Sequence, residues 1–262
     1  MKNPYMPEKV RIAKVSDETH DTKLFRINSR TAHTPGQFYQ LSLPYYGEAP
    51  ISVCSYSDKH LEFCVRNVGN LTNAMHKLKA GGSLWLRGPY GKGYPVELLE
   101  GRNITIVGGG TGTAPVRSAV EYVQRHRKKF GSVDIFLGFR TGDDILFKKD
   151  IRAWEKKFRL HLTLDTPCNE WVCSTGFVTA LIEQSDIRPE NNTVLACGPP
   201  VMIKSAINVL EGKGFKDEQI YVSLERLMKC GIRKCGRCMV NSKYVCHDGP
   251  VFNQSEARWL KD

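Results

Sequence analysis

The chain has no run of about 18 uncharged apolar residues, so nothing in it reads as a membrane span. Its opening, Met1-Lys2-Asn3-Pro4-Tyr5, lacks the apolar core of a secretory signal, and a reducing cytoplasm, where disulfides are rare, is the expected compartment. No glycine loop ends in Gly-Lys-Ser/Thr, which excludes a Walker-type phosphate loop. No Ser-His-Asp set or working pair of carboxylates stands out, and the seven histidines are scattered. Basic and aromatic residues do not interleave as they do where bases stack on a protein surface, so no nucleic-acid partner is expected. The longest basic run, His126-Arg127-Lys128-Lys129, reads as a solvated helix end favoured by the helix dipole. Internal repeats and low-complexity tracts are missing too.

What is there begins with an ordinary globular balance: 262 residues, 41% hydrophobic and 25% charged. That length can bury a core without disulfide staples. Thirty-eight basic residues against 27 acidic ones leave a net charge of +11, which suits an anionic cofactor or an acidic protein surface. Nine cysteines are an odd number, and four of them, Cys230, Cys235, Cys238 and Cys246, crowd into the end of the chain. Such clustering points to a metal or a cluster rather than a disulfide framework.

Three textures follow one another. Residues 1–100 carry short alternating runs (Val10, Ile12, Val15; Phe38 to Leu43; Leu61, Phe63, Val65; Leu84, Leu86) punctuated by Gly and Pro, which predicts an antiparallel β-barrel, with one helical interruption at Leu71 to Leu78. Residues 101–222 alternate buried strands (Ile104 to Val107, Val133 to Leu137, Leu160 to Leu164, Val194 to Ala196, Ile220 to Val222) with helices (Ala114 to Phe130, Lys148 to Phe158, Phe177 to Gln184, Pro200 to Gly212). That predicts an α/β domain with a five-stranded parallel sheet. Residues 223–262 are too short for a core of their own and need something to staple them.

The first of these parallel strands runs into Gly108-Gly109-Gly110-Thr111-Gly112-Thr113-Ala114-Pro115 and then a helix. Glycines let backbone approach a ligand closely, and the helix start turns free N–H groups toward it, an anion site suited to a pyrophosphate. Pro115 fits the first helical turn. Cys197-Gly198-Pro199-Pro200-Val201-Met202 repeats the strand-to-helix arrangement after the fourth strand, so both turns face one crevice beyond the carboxyl ends of the strands. Cys197 reads equally as buried filler or as a residue facing a nicotinamide.

The four clustered cysteines are spaced C-x4-C-x2-C-x7-C, the first three as in plant-type [2Fe–2S] loops. Gly231 and Gly236 allow a tight wrap, and Arg233, Lys234 and Arg237 favour thiolates. Structural zinc is the alternative, though it usually takes two C-x2-C pairs and only one is present. Cys54, Cys64, Cys168 and Cys173 read as packing residues, and His247 as a surface residue.

GGGTGTAP together with ACGPPVM resembles the nicotinamide-binding half of the ferredoxin–NADP reductase superfamily, in which a flavin-binding barrel comes first. The barrel segments Pro35-Gly36-Gln37-Phe38, Pro50-Ile51-Ser52-Val53, Arg66-Asn67-Val68-Gly69-Asn70-Leu71-Thr72 and Arg87-Gly88-Pro89-Tyr90-Gly91 fit that resemblance. It implies FAD contacts at Pro50, Ile51, Ser52, Val53, Val65, Arg66, Val68, Gly69, Leu71 and Thr72, with Ser52 at the flavin ring. It implies NADH or NADPH contacts at Gly109, Gly110, Thr111, Gly112, Ala114, Pro115, Arg140, Cys197, Gly198, Pro199 and Met202, and a [2Fe–2S] cluster on the four cysteines. Ala49 departs from the family, standing where an arginine clamps the flavin pyrophosphate; Arg66 and the Gly69 turn are the expected substitutes.

The tail narrows the resemblance to the flavin and iron–sulfur subunits of anaerobic sulfite reductase and of sulfhydrogenase (gamma type), with the electron-transfer subunit of dihydroorotate dehydrogenase B more distant. This implies a reductase module that hands electrons to iron–sulfur and sirohaem partner subunits, sulfite-reducing ones first, or to nickel-containing ones. Arg140 suits a 2′-phosphate while Asp143 and Asp144 oppose it, and the resemblance leans to NADH. A flavin-free binding module is the alternative of a different class, raised by Ala49.

Overall fold

A computed structural model describes residues 3–258. Period-two burial builds the first half. The strands β1 (Glu8–Asp17), β2 (Thr22–Asn28), β3 (Phe38–Leu43), β4 (Gly47–Ser52), β5 (His60–Arg66) and β6 (Ser83–Tyr90) form one antiparallel sheet in the order β4-β3-β6-β1-β2-β5. An antiparallel bridge between Val53 and Phe63 joins its two edges into a barrel. Ile12, Phe25, Tyr39, Leu41, Leu61, Phe63 and Leu84 fill the interior, and α1 (Asn70–His76) adds Leu71 and Met75. On β3 the alternation sends Tyr39, Leu41 and Leu43 into the barrel and Phe38 to the other face, where it packs against the C-terminal segment.

The second half is β7 (Asn103–Gly109), α2 (Thr113–Arg125), β8 (Val133–Phe139), α3 (Lys148–Trp154), β9 (Arg159–Leu164), β10 (Ser174–Thr175), α4 (Val178–Gln184), β11 (Asn192–Cys197), α5 (Pro200–Gly212) and β12 (Ile220–Ser223). The five expected strands are its parallel centre. The sheet is wider than expected, with seven strands in the order β10-β9-β8-β7-β11-β12-β15. The extra strands are β10 and β15 (Val251–Asn253), the latter antiparallel to β12. With two and three residues, neither is long enough to show a period in the sequence.

The tail also contains β13 (Met239–Val240), β14 (Lys243–Tyr244), α6 (Val245–Asp248) and α7 (Gln254–Ala257). Its apolar residues Met228, Cys238, Val240, Val245, Cys246 and Phe252 pack around Phe38 of the barrel. Arg87 of β6 holds it as well. Its guanidinium pairs with Glu48 (Nε to Oε2 2.8 Å) and donates to the carbonyls of Cys230 (2.5 Å) and Lys229 (3.1 Å).

A second arginine joins barrel to sheet. Arg117 on α2, its side chain 7% exposed, reaches Glu62 of β5 (2.8 Å), Glu121 (2.9 Å), Asp150 (2.7 Å) and the Cys54 carbonyl (2.7 Å). Burial would raise the Glu62 carboxyl, but Arg117 and Arg26 outweigh it and hold it below the usual carboxylate range. Removing one member of such a buried set strands the rest without compensation, so Arg117→Ala is expected to cost about 3–5 kcal/mol in chemical denaturation. Arg117→Lys restores little of it, since one ammonium cannot serve a fork of acceptors.

Candidate functional site

The two glycine-bearing turns meet at the carboxyl ends of β7 and β11. A Cβ on Gly112 would lie 2.5 Å from the Cys197 carbonyl oxygen and 2.5 Å from the Gly198 Cα, so the turns pack backbone on backbone. Gly110, at φ +52, has open space where a side chain would point. Beside them lies a crevice of about 350 Å³ whose walls include Gly109, Gly110, Arg140, Pro199 and Met202 from the sequence reading. Thr111 is exposed, Ala114 and Pro115 are buried in the first turn of α2, and none of the three is a wall residue. Cys197 is buried, 1% exposed, with its thiol 3.9 Å from the Ser223 carbonyl, and burial pushes it up to about 12. It is not among the wall residues of the crevice.

Several further wall residues carry no motif in the sequence: Phe139 at the end of β8, Asp165 just past β9, and Phe177, Thr179 and Ser205. Position beyond a parallel strand is the signal that finds Phe139 and Asp165. Asp143 is exposed away from the crevice walls, and Asp144 caps its own turn by accepting from the Thr141 N–H and hydroxyl.

On the barrel, Pro50, Ile51 and Ser52 are half-buried along β4, whereas Val53 and Val65 are interior and offer only backbone. The Ser52 hydroxyl has no partner among the described residues. Arg66 donates to Asp21 (2.7 Å). Desolvation works to raise the Asp21 carboxyl, but hydrogen bonds from Arg66, Thr22 and Thr19 bring it down to about 2. The N–H groups of Val68 and Gly69 both donate to Thr72 Oγ1 at 2.9 Å, which leaves Val68 exposed and Leu71 buried. The substitutes expected for the arginine missing at Ala49 are therefore engaged already. Arg66 uses only its Nε on Asp21, so its Nη groups can still meet a phosphate, whereas the two N–H groups have to leave Thr72.

The tail brings the four terminal cysteines onto the outer face of β3. Cys235 lies beside Cys230 through its N–H, which donates to Cys230 Sγ, and Cys238 and Cys246 are buried in one core. Left-handed backbone at Gly231 (φ +71), Arg233 (+58) and Gly236 (+76) winds the segment so that amides turn inward. Cys230 Sγ accepts from the N–H groups of Lys234 and Cys235 (3.3 Å each), and Cys246 Sγ from that of Arg233 (3.4 Å). Burial opposes ionisation of Cys230, yet the amides of Ile232, Cys235 and Lys234 draw it down to about 7. Thiols supplied with N–H donors fit an iron–sulfur group, whose charge rests on its sulfurs. Among the described residues no three His, Cys, Asp or Glu side chains are grouped as a site for one metal ion. Cys54 and Cys64 are packed away with raised thiols, and His247 pairs with Asp248 (3.0 Å).

Residues 106–207 match the family described as the oxidoreductase NAD-binding domain, and residues 225–257 match the iron–sulfur cluster binding domain of dihydroorotate dehydrogenase B. The chain is 38% identical to the sulfhydrogenase 1 subunit gamma of Pyrococcus furiosus, over 95% of this chain and 91% of the relative. It is 34% identical to the probable dihydroorotate dehydrogenase B (NAD(+)) electron transfer subunit of the same organism, again over 95% and 91%. Among solved structures, the NADH-dependent reduced ferredoxin-NADP oxidoreductase superposes with a TM-score of 0.77 at 24% identity, covering 98% of this chain and 91% of that one. The ferredoxin NADP+ reductase of Neisseria gonorrhoeae gives 0.71 at 22%, covering 82% and 97%.

Two substitutions test this geometry. Gly112→Ala forces backbone against backbone and is expected to destabilise the chain by about 1–3 kcal/mol or more, with loss of NADH binding in a calorimetric titration. Asp21→Asn is expected to cost under about 1 kcal/mol at neutral pH, because Arg66 is half exposed. A depressed carboxyl contributes stability above its unfolded pKa and loses it as pH falls. Denaturation of the variant should therefore lack the part of the acid loss lying between pH 3.8 and about 2.

Proposed function

The chain belongs to the family of NAD-binding, iron–sulfur electron-transfer subunits that includes the sulfhydrogenase gamma subunits and those of dihydroorotate dehydrogenase B, and we propose that it takes hydride from NADH onto FAD and delivers single electrons through a [2Fe–2S] cluster to a partner subunit. One observation carries this reading. Ser52 of the flavin motif pairs across the sheet with Phe38, and Phe38 shares a core with Cys238 and Cys246. One strand thus separates the expected flavin contact from the cluster cysteines.

FAD, when bound, accepts two electrons as hydride and releases them singly, which matches a nicotinamide to an iron–sulfur group. The protein supplies placement. Gly109, Gly110 and the start of α2 receive the dinucleotide phosphates, and Arg140 and Asp165 stand on the walls of the same crevice. A carboxylate there accepts hydrogen bonds from ribose hydroxyls and repels a 2′-phosphate, which supports NADH over NADPH. Ser52 offers a free hydroxyl to the flavin ring edge. Four clustered cysteines, two of whose sulfurs accept backbone N–H groups, support a two-iron cluster over a single zinc.

The sequence reading put sulfite-reducing, sirohaem-bearing partners first; the gamma subunits of sulfhydrogenases among the relatives favour its alternative, a hydrogenase-type complex. Anaerobic co-purification decides between them through the subunits that accompany the chain. A chain isolated with its cluster but without flavin would instead make it a binding module.

Exposed Cys235 separates the electron steps. Under anaerobic conditions Cys235→Ser is expected to keep bleaching of the flavin band by NADH, while the cluster's EPR signal and delivery to a one-electron acceptor fall to background.

A further inference from the structure

Gln40 lies at the middle of β3, wholly buried, and neither its Oε1 nor its Nε2 has a hydrogen-bond partner among the described residues. Such a group ordinarily costs about 1–3 kcal/mol, so native proteins rarely keep one without a use. Its position is specific. Two residues along the strand, Phe38 packs on Cys238 and Cys246. Gln40 itself lies against the segment joining Cys230 to Cys235, for a Cβ on Gly231 would stand 3.3 Å from its Cγ and 3.3 Å from its Nε2. Its strand neighbours are Pro50 of the flavin motif on one side and Arg87, which grips the Lys229 and Cys230 carbonyls, on the other.

We infer that the Gln40 side-chain amide donates a hydrogen bond to a sulfur of the iron–sulfur group held by the four cysteines, and so sets its reduction potential. The inference rests on the cluster reading above. Reduction adds one electron and one negative charge to that group, and a donor aimed at its sulfur stabilises the added charge. Gln40 is a positioning and tuning residue, and the backbone N–H groups of Arg233, Lys234 and Cys235, which donate to the sulfurs of Cys246 and Cys230, supply the rest of the donor set.

The test uses the full chain with its cluster loaded anaerobically. Gln40→Leu keeps most of the volume and removes the donor. An EPR-monitored redox titration is expected to show a more negative midpoint, the one-electron reduction constant falling about tenfold, or about 59 mV. Pulsed EPR on unmodified chain carrying nitrogen-15 in its glutamine amides is expected to show a coupling to the reduced cluster that Q40L loses. A Gln40 that merely fills space predicts no such coupling, an unchanged midpoint and a higher melting temperature for Q40L; that result overturns the inference. Should Q40L fail to assemble, the nitrogen-15 coupling in the unmodified chain decides alone. An unmodified chain with no iron–sulfur EPR signal at all refutes the cluster reading itself, an outcome distinct from an unshifted midpoint.

Discussion

The buried guanidinium of Arg117 is the interaction on which the arrangement of the two halves depends. It starts on α2, directly after the glycine turn, and ends among Glu62 of the barrel, Glu121 of its own helix and Asp150 of α3. A cation out of water is tolerated only when its donors are matched, and this one is matched by groups from both halves. The helix that follows the glycine turn is thereby tied to the barrel. Hydride transfer needs two rings held at contact distance, and a fixed link between the elements that carry them meets that need.

Arg87 does for the tail what Arg117 does for the sheet. A segment of this length cannot bury enough apolar surface to order itself. It borrows Phe38 for a core, lends β15 to the sheet, and has two of its carbonyls held by Arg87, itself fixed by Glu48. Glu48 adjoins Ala49, where the resemblance to the ferredoxin–NADP reductase superfamily implies an arginine. The strand that lacks that arginine thus anchors the arginine that holds the cluster loop.

Much of the fold was legible because its signals are local. The alternating runs of the barrel, the apolar runs of β7, β8, β9 and β11, and α5 from Pro200 to Gly212 show their period within one window. The turn glycines were legible because Gly112 sits where any side chain meets backbone. What escaped was set by distant partners. Asp165 enters the crevice only because β9 lies beside β8. Arg66 has a second partner that its local sequence does not show, Asp21, 45 residues away. The Cys197 thiol turns toward the Ser223 carbonyl on the neighbouring strand, a contact set by the order of β11 and β12.

The sequence by itself determined the succession of antiparallel strands, α/β alternation and cysteine-rich tail, the two glycine turns after parallel strands and the spacing of the four cysteines, since each depends on residue type and short spacing. Tertiary structure alone decided which backbone amides meet the cysteine sulfurs, that a strand of the tail joins the parallel sheet, and that Gln40 lies against the Cys230–Cys235 segment with an amide that has no partner among the described residues. Those are contacts between residues far apart in the chain. They follow from strand order and the pleat of β3, which bring one buried face against another and leave no trace in any local pattern.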